Sequence, residues 1–268
     1  MRHNVYIICA FLMYFLISCQ GVLDKTGSAT KEKMIFSVAE VIEIVAKENE
    51  VTRILYTKSI VGDGKKQGIK FDEDWQKEDV EAGPLPALFL RGIANNIRKS
   101  DVPLGLYLGS DFPINKANLL EGKQADLFKI IKENRKPQHF YDESQQLHTA
   151  MFADVAGAAS CISCHNEHPQ TTKKDWKLGD VMGATTWQFP SDSLSYNGAI
   201  SILKAYRNGT KAIYNDYLEE ISAFKTSDRP TIGDKWPSVG VYLPSVEVFS
   251  DSVRKLASYE TMKAILKK

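Results

Sequence analysis

KLGDVMGATTWQF, residues 177–189, is the clearest strand signal in the sequence, because β-branched and aromatic side chains are concentrated there. Leu104, Leu106 and Leu108 alternate with other residues in a second, half-buried strand. The segment 139–152 is ambiguous between strand and helix. A few antiparallel strands on one sheet among helices form an α+β pattern, which is the predicted fold class.

Helices are predicted before and between these strands. Apolar residues at helical spacing predict a long amphipathic N-terminal helix over 31–60, ended by glycines from Gly62 onward. A second helix is predicted in GPLPALFLRGIANNIRK, from residue 83 to about Lys99, because proline suits a first helical turn. A third is expected at roughly 117–134.

Residues 191–268 are interpreted as a helical C-terminal extension. Apolar residues recur at helical spacing as far as Phe224, with a turn signal at Asn208-Gly209, and a last helix is expected at about 250–266. No linker rich in glycine or serine separates this extension from the rest. We therefore expect it to pack on the core instead of forming a free domain.

Length and composition are those of an ordinary globular chain. The 268 residues suffice for one substantial core, and 43% apolar with 25% charged residues argue against a disordered or coiled-coil class. Removal of residues 1–18 would take away only Arg2, which leaves 33 basic residues against 33 acidic ones. A formally neutral chain has no field that attracts nucleic acid, so no nucleic-acid partner is expected.

Residues 1–18 have the layout of a secretory signal peptide. A basic start at Arg2 precedes an apolar run from Val5 to Ile17, which is shorter than the roughly 20 residues of a membrane-spanning helix. The run ends in LISC, which resembles a bacterial lipobox and predicts a lipid on Cys19. An uncleaved anchor or an ordinary signal peptide stays open. Each version is extracytoplasmic, and the lipid version is anchored on the periplasmic side of a bacterial membrane.

Two cysteines remain after such processing, in CISCHNEHP at residues 161–169. Two thiols three residues apart are a poor disulfide framework. Covalent haem attachment needs two thiols for the porphyrin vinyl groups and a histidine directly after them for the iron. Cys161, Cys164 and His165 supply these groups in the required order. We therefore predict one covalent haem c, with His165 as an iron ligand.

Two other chemistries use such a pair of thiols. A zinc site needs four ligands, and His168 could join Cys161, Cys164 and His165, although four ligands within eight residues would crowd one ion. A thioredoxin-like redox pair lies at a helix start after a strand. AGAAS, residues 156–160, offers no such strand. Zinc and the redox pair are kept as weaker alternatives.

The motif region resembles a family of PAS-like extracytoplasmic domains with haem c, found alone or as sensory parts of bacterial signalling proteins. The upstream segments PLPALFLR and LYLGSDFPIN are also similar, so the resemblance covers roughly residues 31–190. It implies a PAS-like haem domain, assigned to residues 19–190, that senses redox state or a small ligand or passes electrons. The matching positions after the motif are Asn166, His168, Pro169, Asp175, Trp176, Lys177, Gly179, Asp180, Val181 and Gly183.

The second axial ligand of the iron decides among these roles. A strong protein ligand favours electron transfer or redox sensing, whereas an open position favours binding of a small gas. The candidates are His148, Met151, His139 and Met182, or no protein ligand. His148 and Met151 would share one face if their segment were helical.

Three further residues are assigned to the edge of the haem. His168, Lys173 and Lys174 could contact the propionates, and simple solvent exposure is an equal alternative for them.

The leading interpretation is a lipid-anchored monohaem c-type protein. It would act as a redox or gas-responsive sensor module or as an electron carrier, with a redox or signalling protein as its partner. A haem enzyme with peroxidase or nitrogen-oxide chemistry is one alternative, and a zinc-binding structural lipoprotein is another. No catalytic constellation stands out, so an enzyme is the less favoured interpretation.

Overall fold

The computed structural model describes residues 34–225 and 229–266. The predicted signal peptide, residues 1–18, and the predicted lipid site at Cys19 lie outside these ranges. Within them, no helix is both long enough and apolar enough to cross a membrane.

The described chain mixes helices and strands, in agreement with the predicted α+β class. Its first elements are β1 (Ile35–Ser37), α1 (Val38–Leu55), a π-helical segment (Tyr56–Gly62), α2 (Asp63–Lys66), β2 (Phe71–Asp72), β3 (Gly83–Pro84), α3 (Pro86–Arg98), β4 (Gly105–Gly109), a 3₁₀ turn (Lys116–Asn118) and α4 (Gly122–Asn134). The later elements are β5 (Gln138–Asp142), β6 (Leu147–Val155), α5 (Ala159–Glu167), β7 (Val181–Phe189), β8 (Ser193–Ser195), α6 (Tyr196–Ala223), β9 (Ile232–Gly233), β10 (Leu243–Pro244) and α7 (Val246–Leu266).

Four strands form the main sheet in the spatial order β4-β7-β6-β5, and each neighbouring pair is antiparallel. β7 (Val181–Phe189) confirms the strand that its β-branched and aromatic residues predict, although the first four residues of the predicted range 177–189 lie outside it. The ambiguous segment 139–152 belongs to the hairpin of β5 and β6. Three two-stranded pairs, β1 with β8, β2 with β3 and β9 with β10, lie outside this sheet.

The two faces of the main sheet pack against different helices. On one face, Ala150 and Trp187 belong to a large core that also contains residues of α1, α3, α6 and α7. On the other face, Met151 and Ala184 pack with Phe128 of α4 in a smaller core. The sheet is therefore covered on both sides, and its ends are the places where a site can open to solvent.

The N-terminal helical region consists of α1, the π-helical segment and α2, and it runs from residue 38 to residue 66. It therefore begins and ends later than the predicted range of 31–60. Residues 35–37 pair with β8 instead. Ser37 then caps α1, because its hydroxyl accepts a hydrogen bond from the Glu40 N–H (3.2 Å) and the Glu40 carboxylate accepts one from the Ser37 N–H (3.0 Å). Gly62 adopts helical angles and continues the helix into α2. The third predicted helix, in contrast, forms fully only from Gly122.

The turn predicted at Asn208-Gly209 is wrong, because α6 is one helix of 28 residues. Gly209 is buried, and a Cβ atom there would lie 3.0 Å from the carbonyl oxygen of Ile93 in α3. Gly92 of α3 faces α6 in the same way, since its Cβ would lie 2.4 Å from the side chain of Ile213. Both glycines therefore allow two helices to approach closely.

An ion pair also joins the C-terminal extension to the N-terminal helix. Arg207 of α6 donates two hydrogen bonds of 2.7 Å to the carboxylate of Glu48 in α1. The Glu48 side chain is only 5% exposed, so the charge is held in a largely buried position. Removal of Arg207 would leave that carboxylate uncompensated.

Replacement of Gly209 by leucine should lower the free energy of unfolding by about 1–3 kcal/mol, because the new side chain must fit where α6 touches α3. Urea denaturation measures this change. The matched control is Asn208→Leu, which adds the same side chain at the exposed neighbouring position and should cost less than about 0.5 kcal/mol. Equal losses in the two variants would contradict the close-contact role of Gly209.

Candidate functional site

The Cys-x-x-Cys-His motif lies on α5, a helix of nine residues that follows β6. Cys164 and His165 come three and four residues after Cys161, so the three side chains share one face of the helix. Both thiols are free, with Cys161 partly buried and Cys164 exposed. The helix therefore offers two thiols and one imidazole side by side.

A small apolar cluster supports this helix. Ala156, Trp176 and Met182 are buried together, and Cys161 and Ile162 pack against them. This cluster is separate from the two cores that cover the faces of the sheet. Since β6 ends and β7 begins beside it, α5 lies at one end of the sheet.

Asn166 fastens α5 to the segment that follows the motif. Its side-chain amide donates to the carbonyl oxygen of Trp176 at 3.1 Å, and its amide oxygen accepts from the Trp176 N–H at 3.0 Å. The two bonds satisfy both backbone groups of Trp176. The indole is thereby held in the apolar cluster under Cys161.

The turn at residues 177–180 leads from Trp176 into β7. Gly179 has φ of +90°, in the left-handed region that favours glycine. The Asp180 carboxylate accepts a hydrogen bond of 2.8 Å from the Lys177 N–H. The backbone of Ala156 bonds to Gly179 and Asp180, at 3.0 and 2.9 Å, and so ties the turn to the segment that enters α5.

The surroundings of His165 lower the pKa of its imidazole. Burial lowers the pKa of its imidazole below the ordinary value, the Asp154 carboxylate opposes that change, and His168 adds to it. A histidine binds a metal through its neutral imidazole, so a lowered pKa favours the competent form at neutral pH.

The second thiol lies near residues from the end of the N-terminal helical region. Burial is the main cause of a raised pKa at Cys164, Glu73 adds to the rise, and Lys65 opposes it. Lys65 belongs to α2, and Glu73 follows β2. These two elements therefore border the face of α5 that carries Cys164.

Arg53, near the end of α1, connects that helix to the sheet beside the motif. Its guanidinium lies 2.6 Å from the Asp154 carboxylate and donates to the Thr185 hydroxyl at 3.3 Å. Asp154 is also the carboxylate that raises the pKa of His165 against the effect of burial. No sequence spacing links Arg53 or Asp154 to the motif, so the sequence analysis missed both, and only the folded arrangement reveals them.

The surroundings of the motif fit a group with apolar faces and acidic edges. Nε1 of Trp176, in the cluster against which Cys161 packs, is a buried N–H donor without a hydrogen-bond partner in the described part of the chain. A buried donor without a partner is unfavourable, so a site that contains one is suited to an acceptor. Phe112, which contacts Trp176, and Leu178 expose apolar surface nearby. A haem, with its two propionates, has this chemistry.

The structure does not bring His148 to the motif. The segment is a strand, not the helix considered from the sequence. Val155, at the end of this strand, comes seven positions after His148, which corresponds to roughly 23 Å. His148 and His139 instead line a cleft of about 240 Å³ between the β5–β6 hairpin and the start of α1. His139 also lies 3.2 Å from the carboxylate of Glu43.

Met151 is also placed away from the motif. Successive residues of a strand point to opposite faces, so Met151 and His148 do not share a face as they would in a helix. Met151 is fully buried and packs with Phe128 of α4. Its thioether is therefore a filling group of the smaller core.

Met182 is the candidate second ligand that the structure places beside the motif, since it belongs to the cluster against which Cys161 packs.

The three residues predicted at the haem edge have different surroundings. His168 lies 3.2 Å from the Glu73 carboxylate, and its Nδ1 accepts a hydrogen bond from the Gln170 N–H. The ammonium group of Lys173 lies over the Trp176 ring, 4.7 Å from its centre. Lys174 is exposed.

The arrangement also bears on the two rival chemistries. In residues 34–225 and 229–266, no group of three or more His, Cys, Asp or Glu side chains is arranged to hold a metal ion. His168 is therefore not grouped with the motif as a zinc ligand. The expectation that no strand precedes the two cysteines is wrong, because β6 ends at Val155, shortly before α5 begins. The sheet is antiparallel there, however, and the raised pKa of Cys164 is unlike that of a redox-active thiol.

Comparison with known sequences gives one family. The sequence model of the Tll0287-like family, which is named after a cyanobacterial c-type cytochrome-like protein, matches residues 28–190. This range covers more than half of the chain and includes the motif, Asn166 and β7. No curated protein and no solved structure matches the chain.

Replacement of Asn166 by alanine should lower the free energy of unfolding by about 1–3 kcal/mol, because both backbone groups of Trp176 lose their partner. Urea denaturation followed by tryptophan fluorescence measures the loss. Ser163→Ala is the matched control on the same helix, since the Ser163 hydroxyl is exposed and bonds only within α5. A loss as large in the control as in Asn166→Ala would contradict the fastening role.

Proposed function

The chain belongs to the Tll0287-like family, and on that premise we propose that it carries one haem c on Cys161, Cys164 and His165. The observation that carries this proposal is the grouping of two free thiols and an imidazole on one face of α5. The family indicates a cytochrome c-like domain, and the residues of this chain fit the cofactor of such a domain. When bound, haem supplies an iron that changes between ferric and ferrous states.

The residues around the motif have separable tasks in this proposal. The thiols of Cys161 and Cys164 fix the porphyrin through thioether bonds, and the imidazole of His165 holds the iron. Trp176 and Ala156 support the helix from below. The donors that we assign to the haem propionates are the Trp176 indole N–H and the ammonium group of Lys173, which lies over the Trp176 ring and also pairs with Asp175.

The role that we propose is that of a redox module, either an electron carrier or a redox-responsive sensor. One feature favours it over a gas-responsive role. Met182, a candidate second iron ligand, lies in the cluster beside the motif. A redox or signalling protein would be its partner.

The proposal places the protein outside the cytoplasm. Residues 1–18 would be a signal peptide and Cys19 would carry a lipid that holds the chain on the periplasmic side of a membrane. The lipobox-like LISC supports this location, as does the chemistry of the motif, because bacterial haem attachment to such thiols takes place outside the cytoplasm. Residues 19–190 would form the PAS-like haem domain, with 191–268 as its helical extension.

Covalent haem is tested by expression of the full chain with haem-attachment machinery. The parent should gain the mass of one haem and stay coloured after denaturation, whereas the double variant Cys161→Ala/Cys164→Ala should lose both properties. Ser163→Ala, between the two cysteines, is the matched control and should behave like the parent. A colourless parent, or a double variant that keeps the covalent haem, would refute the proposal and lead to metal analysis for zinc.

The redox role is tested by the absorption spectrum of the reduced protein with and without carbon monoxide. Bands that carbon monoxide leaves unchanged are expected, because a protein ligand would occupy the second axial position. Repetition with Met182→Leu, which conserves the side-chain volume, tests whether the Met182 thioether is that ligand. Bands that shift in the parent would contradict the redox assignment and favour a gas-responsive module.

A further inference from the structure

We propose that the cleft between the β5–β6 hairpin and the start of α1 binds a small aromatic compound with a hydroxyl donor, that is, a ligand of the phenol class. This inference goes beyond the proposed function, because the residues that line the cleft fall within 38–42 and 139–150 and include no residue of the motif. It does not depend on whether the chain carries haem.

The register of β5 and β6 turns two histidines and one tyrosine toward this cleft. Tyr141 is paired with His148, and His139 is paired with Ala150, in the antiparallel ladder. Residues directly opposite one another share a face of the sheet, and so do residues two positions apart on one strand. The four residues therefore lie on one face, where Ala150 packs in the large core together with residues of α1.

Buried apolar side chains form part of the lining. They are Val38 and Ile42 of α1 and Ala150 of β6. The cleft has a volume of about 240 Å³, which is larger than the roughly 150 Å³ that accommodates benzene in an engineered protein cavity. A single aromatic ring with one small substituent therefore fits the available space.

Two of the lining side chains offer ring surface to such a ligand. The rings of Tyr141 and His148 are 4.9 Å apart between their centroids, at an angle of 55°. A third ring can join two such rings in an offset-stacked or edge-to-face arrangement. Tyr141 is still 43% exposed, so part of its surface is free to make this contact.

The polar groups at the cleft select a hydrogen-bond donor. Nε2 of His139 lies 3.2 Å from a carboxylate oxygen of Glu43, and this carboxylate disfavours an anionic ligand. Because Glu43 already engages His139, the hydrogen bond of the ligand goes to His148. A neutral imidazole has one acceptor nitrogen, and a phenolic hydroxyl is the matching donor.

The test is saturation-transfer NMR of phenol with the full chain, with affinities taken from titrations. Phenol should bind with a dissociation constant on the order of 1 mM, because so small a ligand makes few contacts. Three comparison compounds should each bind several-fold more weakly. Toluene has nearly the same shape without the hydroxyl, cyclohexanol has the hydroxyl without an aromatic ring, and benzoate is an anion.

Three variants locate the binding site. Ala39→Leu enlarges a residue that lines the cleft in the first turn of α1, and it should abolish phenol binding. The matched control is Ala117→Leu, the same change at an exposed residue outside the lining, which should bind phenol like the parent. His148→Phe keeps a ring but removes the acceptor, so it should weaken phenol binding roughly fivefold and leave toluene binding unchanged.

The inference would be overturned by a parent that does not bind phenol, by a comparison compound that binds as tightly as phenol, or by an Ala39→Leu variant that binds phenol like the parent. Equal weakening of phenol and toluene in His148→Phe would overturn the role of His148. Circular dichroism of each variant distinguishes lost binding from lost folding.

The cleft is also tested apart from the haem. The double variant Cys161→Ala/Cys164→Ala should bind phenol like the parent, because it changes no residue of the lining. Phenol binding that disappears in this variant would place the ligand at the motif and overturn the inference. A parent without covalent haem would refute the proposed function and leave the test of the cleft unaffected.

Discussion

The antiparallel pairing of β6 with β7 is the constraint on which the rest of this structure depends. The register runs from His148 opposite Phe189 to Asp154 opposite Gly183, with an irregularity before Val155. A slip by one residue would move either Trp187 of β7 to the side of α4 or Met151 of β6 to the side of α1. The register therefore decides which helices can pack on each face, and it fixes the end of the sheet where β6 stops and α5 begins.

That end of the sheet has a different character from its faces. The faces are closed by helices, whereas the end is closed by one short helix that rests on Trp176, Ala156 and Met182. Hydrogen bonds from Asn166 and from the turn at 177–180 supply much of the order there. Within the motif, Cys161 packs on this cluster, whereas Cys164 is exposed.

The sequence predicts what depends on local pattern and misses what depends on distant partners. β7 and the helix of Pro86–Arg98 follow from residue types within each segment. The spacing of the two cysteines and the histidine in the motif likewise predicts haem attachment without any distant partner. Gly209 was misinterpreted as a turn because its partner, Ile93, lies in another helix. The contact of Arg53 with Asp154 likewise has no signature in the local sequence. Segment 139–152 is ambiguous between strand and helix in the sequence, and its pairing as a hairpin in the fold identifies it as strand.

The ion pair between Arg207 and Glu48 has a consequence for the order of events when the chain folds. Residues 159 positions apart must meet to form it, and contacts of such long separation form slowly because the intervening loop must close first. A chain that emerges with its N-terminus first exposes CISCH before Arg207 arrives. The contact between α1 and α6 therefore cannot form until well after residues 161–165 have emerged.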